Sequence, residues 1–271
     1  MLLLGDPGGH SLAAAFVNAG LAAAGVEAFC ELCTAPLSEL SSAIERLRDD
    51  DDALGAGLTG PLKLAAPPLL DGLGPEAQAV GAVNVISRRG GVLIGWNTER
   101  GAFLDALDDA AIDPRGRTAV VLGTGGAARA VVDALRESAS RVIMASREPA
   151  RAEAVADHFE LEDPIALDGL EPVLRRADLV VNATPLGTDG RSLPIDEAWL
   201  RPTHTVFDLL YNPPVTPLLK AARERGARAV NGLSMLLYQG IRAFEIWTGR
   251  PAPETVMRAS LQQAILGQLS G

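Results

Sequence analysis

The chain has 271 residues, is 48% hydrophobic with 28 glycines, and carries a formal net charge of −10. That length suffices for one large or two modest domains with real cores, and the acidic balance without a basic face argues against a nucleic-acid partner. Met1-Leu-Leu-Leu-Gly5 lacks a positive leader and is too short to span a bilayer, so it reads as a first strand rather than a signal peptide or membrane anchor, in a cytoplasmic protein.

Residues 1–100 alternate short apolar strands (Leu2 to Leu4, Val26 to Leu32, Ala53 to Leu58) with alanine-rich helices such as Leu12 to Ala24, which predicts an α/β unit. Cys30 and Cys33 form a C-x-x-C, but within a strand-like alternation that lacks the helix N-terminus needed to activate a thiolate. The histidines are scattered and no further Cys or His stands at ligand spacing, so no metal site is expected. The acidic run Asp49 to Asp52 reads as the solvated end of a helix. Two segments are polar where a buried strand–helix junction favours apolar residues: Gly57-Leu-Thr59-Gly60-Pro61-Leu-Lys63, and Gly81-Ala-Val-Asn84 with Gly95-Trp-Asn97-Thr98-Glu99. Lys63 and Glu99 are the candidates there for passing a proton to or from a bound oxygen.

The run Thr118-Ala-Val-Val-Leu-Gly123-Thr124-Gly125-Gly126-Ala127-Ala128-Arg129 reads as strand, glycine turn and helix. Gly123 permits the tight turn, Gly125 lets the backbone approach a pyrophosphate, and Ala128 takes the third small position of G-x-G-x-x-G/A, with Thr124, Gly126 and Ala127 completing a cradle at a helix N-terminus. The next strand, Arg141 to Ser146, ends where an NAD site places an acid on the ribose hydroxyls. Here Ser146-Arg147 offers a hydroxyl and a guanidinium suited to a 2′-phosphate, so NADP is favoured; Glu148 leaves NAD possible. With a dinucleotide to carry hydride, Lys63 becomes the proton donor beside the carbonyl being reduced.

Strands at Ala119 to Leu122, Val142 to Met144, Asp178 to Asn182, Thr205 to Asp208 and Arg228 to Asn231 give the rhythm of a doubly wound parallel sheet of Rossmann type. After Gly232, Met235 to Trp247 and Pro253 to the end read as helices with no strand beside them, predicted to return to the first domain. The expected division is a substrate-binding and catalytic domain of residues 1–100 completed by 235–271, and a dinucleotide domain of residues 101–234, with the reaction in the cleft between them.

These residues resemble the shikimate dehydrogenase family, in the family's order and through nearly the whole chain. The segments that carry the resemblance are Gly5-Asp-Pro7 with His10-Ser11; Thr59-x-Pro61-x-Lys63; Gly81-Ala-Val-Asn84; Gly95-Trp-Asn97-Thr98; Gly123 to Arg129; Asn182-Ala183-Thr184 with Gly187; Asp208-Leu-Leu-Tyr211-Asn-Pro213 with Thr216-Pro217; and Asn231-Gly232-Leu233 through Gln239. The resemblance implies an NADP-linked oxidoreductase that interconverts 3-dehydroshikimate and shikimate in aromatic amino-acid biosynthesis. It implies Lys63 as catalytic acid or base, Thr59, Asn84 and Gln239 on ring hydroxyls, and Ser11 and Tyr211 toward the substrate carboxylate. On the cofactor side it implies Ser146 and Arg147 at the 2′-phosphate, with Asn182, Ala183, Thr184 and Gly232 near the ribose and nicotinamide.

Three departures fall in the substrate half. The family's Ser-x-Ser-Pro element reads here Ser11-Leu-Ala13-Ala14, the asparagine before Val-Thr is Gly57, and the catalytic aspartate is Glu99. One lost donor to a carboxylate is worth roughly 1.5 to 3 kcal/mol. The expectation is therefore a family member acting on shikimate or a related cyclic polyol, as a monomer or homodimer without a membrane or nucleic-acid partner. The alternative is a dinucleotide-binding sensor that has lost dehydrogenase activity.

Overall fold

Two six-stranded sheets organise the chain, which this computed structural model describes over residues 1–5, 12–138, 141–162 and 164–269. They belong to two units, Met1–Ala102 with Leu236–Gly271, and Phe103–Met235.

The first unit holds strands β1 (Leu2–Gly5), β2 (Glu31–Thr34), β3 (Gly55–Leu58), β4 (Gly72–Leu73), β5 (Val85–Arg89) and β6 (Val92–Trp96), in the order β2-β1-β3-β5-β6-β4. β1 runs parallel to β2 and β3, whereas β5 lies between β3 and β6 and is antiparallel to both. Helices α1 (Ala13–Ala23), α2 (Leu40–Asp49), α3 (Leu62–Ala65) and α4 (Pro75–Val80) alternate with them, and α5 (Glu99–Asp109) begins in this unit and runs into the second. Leu4, Ile44, Leu47, Leu58, Leu62, Ile86 and Leu93 pack together as one core.

Two details differ from the sequence reading. The β5–β6 hairpin was not predicted; its turn is Gly90-Gly91, with φ of 55° and 81°, the left-handed pair a two-residue hairpin requires. Strand β2 begins at Glu31 rather than Val26, because the Asn18 side chain on α1 accepts from the Cys30 N–H at 2.6 Å and donates to the Cys30 carbonyl at 2.8 Å. Those two bonds tie the preceding segment to a helix instead of a strand. The acidic run is the solvated helix end that the sequence predicted, for α2 stops at Asp49 and Asp49 to Asp52 are exposed, with Asp51 accepting from Arg88 Nη2 at 2.6 Å.

The second unit is built on β7 (Thr118–Leu122), β8 (Arg141–Ser146), β9 (Ile165–Ala166), β10 (Leu179–Asn182), β11 (Thr205–Asp208) and β12 (Arg228–Asn231), with α6 (Gly126–Glu137), α7 (Pro149–Phe159), α8 (Glu171–Leu174) and α9 (Pro217–Glu224) between them. The order β12-β11-β10-β7-β8-β9 is parallel throughout. This is the doubly wound Rossmann sheet that the strand rhythm predicted. Strand order reverses between β7 and β10, and loops leaving the carboxyl ends of strands at such a switch point are where this architecture binds ligands.

Helices α10 (Leu233–Thr248) and α11 (Glu254–Leu269) return to the first unit, as the strandless tail of the sequence predicted. Close approach makes the docking specific: a Cβ on Gly240 would lie 2.2 Å from the Phe16 ring, and one on Gly20 would lie 2.9 Å from Met257. Trp247, 2% exposed, donates from Nε1 to the Ile86 carbonyl at 2.9 Å, and Arg89 caps the end of α10 by donating to the carbonyls of Ile246 and Trp247. Burial of Phe16, Phe244 and Trp247 stabilises this seam by roughly 2 to 3 kcal/mol for each ring. No helix among the described residues is long and apolar enough to cross a membrane.

Candidate active site

In the first unit, β3 leads through Thr59 and Gly60 into α3, where the Lys63 carbonyl accepts from the Val83 N–H at 2.8 Å and fixes the helix against the segment entering β5. Asn97 sets the start of α5: its Oδ1 accepts from the N–H groups of Glu99 and Arg100 at 3.1 and 3.2 Å, and its Nδ2 donates to the Ala82 carbonyl at 3.0 Å. This cap presents Glu99 at the head of the helix, where Lys63 Nζ donates to Glu99 Oε1 at 2.6 Å. The two side chains are 13% and 3% exposed. Glu99 Oε2 is buried and has no hydrogen-bond partner among the described residues. A buried carboxylate oxygen left without a donor costs about 1 to 3 kcal/mol or more, so this acceptor is suited to a donor arriving on a bound molecule.

Asn84 joins the same cluster, donating from Nδ2 to Thr98 Oγ1 at 2.8 Å and accepting at Oδ1 from the Thr98 N–H at 2.7 Å. Each side-chain group keeps capacity for one more bond. Thr59 donates to the Leu4 carbonyl at 3.4 Å and fits against Gly5, where a Cβ would meet its hydroxyl. Gln239 is half-buried on α10 without a hydrogen-bond partner among the described residues. Ser11 lies outside the described residues. The structure thus brings Lys63, Glu99, Asn84 and Thr98 together, with Thr59 opening the segment that carries Lys63.

In the second unit the glycine turn follows β7 at the switch point. Gly123 has φ 112° and its missing Cβ would lie 3.0 Å from the Ala183 carbonyl, whereas a Cβ on Gly125 would enter open space. The bond from Arg129 N–H to the Gly125 carbonyl at 3.0 Å opens the ladder of α6, so the amides of Gly126, Ala127 and Ala128 lie ahead of it. An open approach at Gly125 in front of these amides, with Thr124 beside it, fits a pyrophosphate.

The neighbouring loop is braced from below. Asn182 is fully buried, donates to the Leu186 carbonyl and to Asp208 Oδ1, and accepts from the Thr184 N–H and hydroxyl. Its amide therefore shapes the Asn182-Ala183-Thr184 turn from inside. Asp208, also fully buried, accepts from Thr216 Oγ1 at 2.6 Å and from the Leu210 N–H at 3.1 Å. Burial pushes its carboxyl above the usual carboxylate range, against the pull of its hydrogen bonds from Thr216, Leu210 and Asn182. This network supports the loop that carries half-buried Tyr211. Gly232 closes on the same loop, for a Cβ there would lie 2.0 Å from the Leu209 carbonyl oxygen.

At the end of β8, Ser146 Oγ accepts from the Glu148 N–H at 3.1 Å, and Glu148 pairs with Arg151 at 2.9 Å. Arg147 is exposed and has no partner among the described residues. The strand end therefore offers a free guanidinium, while its one acid is engaged along α7. Sequence reasoning left Asn97, Thr98, Asp208 and Thr216 off its site list, although a polar residue closing an apolar strand, as in Thr205-Val-Phe-Asp208, was a readable signal for the buried brace.

Three family models match in succession: the shikimate dehydrogenase substrate binding domain over residues 3–86, shikimate / quinate 5-dehydrogenase over 108–188, and the shikimate 5'-dehydrogenase C-terminal domain over 232–262. The shikimate dehydrogenase (NADP(+)) of Moorella thermoacetica is 41% identical over 282 residues, covering 99% of this chain and 94% of its own. The chain belongs to the shikimate dehydrogenase family. Among solved members of the family, shikimate 5-dehydrogenase from Thermus thermophilus in complex with NADP(H) and shikimate matches at TM-score 0.87 and 38% identity, over 97% of this chain and 98% of its own. Quinate dehydrogenase from Corynebacterium glutamicum in complex with NAD matches at 0.86 and 28%, over 97% and 98%.

Against the family pattern, Glu99 still reaches Lys63 in spite of its extra methylene. Gly57 is compensated by packing: a Cβ there would lie 2.7 Å from Leu3 Cδ2, so Leu3 already fills the space beside the strand. Ala13 and Ala14 form the half-buried first turn of α1.

Proposed function

We propose that this chain is an NADP-dependent dehydrogenase that reversibly transfers a hydride between the cofactor and a hydroxyl or keto group of shikimate or a related cyclic polyol. The observation that carries this reading is the Lys63–Glu99 contact of 2.6 Å together with the buried, unpartnered Glu99 Oε2. Bound NADP supplies the hydride acceptor in oxidation and the donor in reduction. In reduction, Lys63 Nζ gives a proton to the substrate oxygen, and in oxidation the same nitrogen takes it back. Glu99 Oε1 holds Nζ on that line while Oε2 accepts from a neighbouring ring hydroxyl. Asn84, Thr59 and Gln239 bind ring hydroxyls with the bonding capacity they retain, and Ser11 and Tyr211 face the carboxylate.

The turn from Gly123 through Ala127 takes the pyrophosphate, with the Gly123 N–H held by the Ala145 carbonyl and the amides at the head of α6 facing the phosphate, while Ser146 and Arg147 take the 2′-phosphate. Pairing of Glu148 with Arg151 leaves no free acid at that strand end, which favours NADP over NAD. Ala183, Thr184 and Gly232 shape the ribose and nicotinamide end, with Asn182 acting through the turn it braces. An intact proton-transfer pair with an acceptor to spare speaks against a sensor that has lost its chemistry. The free thiols of Cys30 and Cys33 suit a reducing cytoplasm, where the enzyme acts as a monomer or homodimer.

The test is oxidation of shikimate, quinate and amino-substituted analogues with NADP+ and with NAD+, followed by nicotinamide absorbance. Turnover is expected with shikimate or a close analogue and to be faster with NADP+. Retained nucleotide binding with no turnover of any ring substrate would overturn the proposal.

A further inference from the structure

We infer that a cavity at the far end of the first unit's sheet binds a small organic phosphate monoester, at a place separate from the Lys63–Glu99 cluster and from the glycine turn of the second unit.

The cavity has a volume of about 380 Å³, and Val26, Asp51, Leu54, Arg88, Arg89 and Arg250 are among the residues that line it. It lies just before β3 and at the end of β5, two antiparallel strands whose opposite ends lead to Thr59 and Asn84. Extended chain from Leu54 to Thr59 spans about 16 Å, so the cavity does not open on the groups around Lys63.

Three cations share this cavity with one acid. Arg88 and Arg89 close β5, Arg250 stands in the turn between α10 and α11, and Asp51 is the only acid of the lining among the described residues. The Asp51 side chain is 95% exposed, so water screens much of what it gives to Arg88. Every other hydrogen bond of these guanidiniums runs to a main-chain carbonyl. Arg88 Nε donates to Arg48 at 2.9 Å, Arg89 to Arg88, Ile246 and Trp247, and Arg250 Nη1 to Ala24 at 3.1 Å. A carbonyl orients a guanidinium without cancelling its charge. The lining therefore holds a positive excess, in a chain whose net charge is −10.

Donors are left over as well. The Arg88 side chain is only 6% exposed, yet its Nη1 has no partner among the described residues, and Nε and Nη2 of Arg250 have none there either. Such nitrogens suit phosphate oxygens, which a planar guanidinium takes two at a time. Because the backbone already holds all three side chains, little rotamer freedom is left to lose on binding.

Charge and volume together choose the ligand. A phosphate monoester carries close to two negative charges at pH 7, which balances three guanidiniums set against one carboxylate. The volume is many times the roughly 30 Å³ that one water occupies in the liquid, which leaves room for an organic group beside the phosphate. Val26 and Leu54, both half-buried, give that group an apolar wall.

The probe is phenyl phosphate, compared with benzoate and inorganic phosphate. Calorimetric titration measures each against the unaltered protein and against Arg250→Met, Asp51→Asn, Lys63→Met and Arg147→Ala. Phenyl phosphate should bind the unaltered protein more tightly than either comparison anion, and Arg250→Met should weaken it about tenfold. Lys63→Met and Arg147→Ala, which remove cations elsewhere in the two units, should leave its affinity within twofold. Asp51→Asn removes an acid and no cation, so it should tighten phenyl phosphate about threefold whatever Arg250→Met does to the fold. Absence of saturable binding at millimolar phenyl phosphate overturns the inference, as does benzoate or inorganic phosphate binding equally well. So does a loss that follows Lys63→Met or Arg147→Ala while Arg250→Met stays within twofold, which would put the phosphate in one of the other sites. An unchanged or weakened affinity in Asp51→Asn overturns it too.

Discussion

The two units make their sites from different parts of the chain. In the second, the site is mostly backbone: a glycine turn at the sheet's switch point, amides ahead of a helix, and a loop propped by fully buried Asn182 and Asp208. In the first, it is side chains contributed from separated segments, with Lys63 at the start of one short helix, Glu99 at the head of another and Asn84 entering a strand. A backbone site is local in sequence and policed by sterics, because any side chain at its close contacts displaces main chain. A side-chain site can be altered one position at a time while the frame stands. That is why the departures at Ala13, Gly57 and Glu99 all fall in the first unit.

The largest effect should come from breaking the side-chain site alone. Lys63→Met removes the proton carrier and should lower kcat for ring oxidation by about 1,000-fold, within the range general acid–base groups contribute. The affinity for NADPH should stay within twofold. A matching loss of nucleotide affinity in fluorescence titration would mean that the first unit's side chains also sustain the cofactor site, and the contrast would fail. The reciprocal change is Gly232→Ala, whose Cβ would fall 2.0 Å from a main-chain oxygen that cannot rotate away. Overpacking of this kind should destabilise the protein by about 3 kcal/mol in urea unfolding and weaken dinucleotide binding with it.

The same contrast explains what could be read in advance. Gly123, Gly125 and the apolar strands around them were legible because strand, turn and helix occupy one short window with fixed residue demands. The return of α10 and α11 was legible because two amphipathic helices after the last strand had no sheet of their own to cover. The Gly90-Gly91 hairpin was overlooked although its turn chemistry is explicit, since the α/β alternation around it masks an antiparallel pair. Pairing of Asn84 with Thr98 and of Asp208 with Thr216 was not legible, as each joins positions whose contact depends on strand register and loop path. Family resemblance supplied roles for such residues; geometry showed that Asn182 works from inside the turn.

A smaller effect concerns how the first unit absorbs change. If Leu3 occupies the room beside Gly57, then Gly57→Asn alone should cost about 1 to 3 kcal/mol, because Leu3 Cδ2 must move away from a Cβ 2.7 Å distant. Combining it with Leu3→Ala should recover about 1 kcal/mol relative to the sum of the single changes in a double-mutant cycle. Additivity would show that the strand accommodates the asparagine without Leu3, and that the glycine is not a packing partner.

The smallest effect tests the second unit's buried supports through pH. His204 is 1% exposed, its Nδ1 accepts from the Arg201 N–H at 3.2 Å, and its Nε2 lies 2.9 Å from the Leu174 carbonyl, which requires the neutral ring protonated on Nε2. Burial, aided by Arg201, holds its pKa below the ordinary 6.5, against the Leu174 carbonyl and Asp178. Over the window from 6.5 down to that lowered value the unfolded chain binds a proton that the folded chain refuses, so stability falls as pH drops through it. One such group contributes a slope of at most about 1.4 kcal/mol per pH unit. Urea unfolding between about pH 7.5 and 5.5 should show this loss, and His204→Gln should flatten it while lowering stability at the upper end of that range. Hydrogen exchange should locate the acid-induced opening in β10 and β11 rather than in β1 and β3, since His204 directly precedes β11. An equal loss in both sheets, or an unchanged slope in the variant, would assign the pH dependence to other groups and remove His204 from the supports of the backbone-built unit.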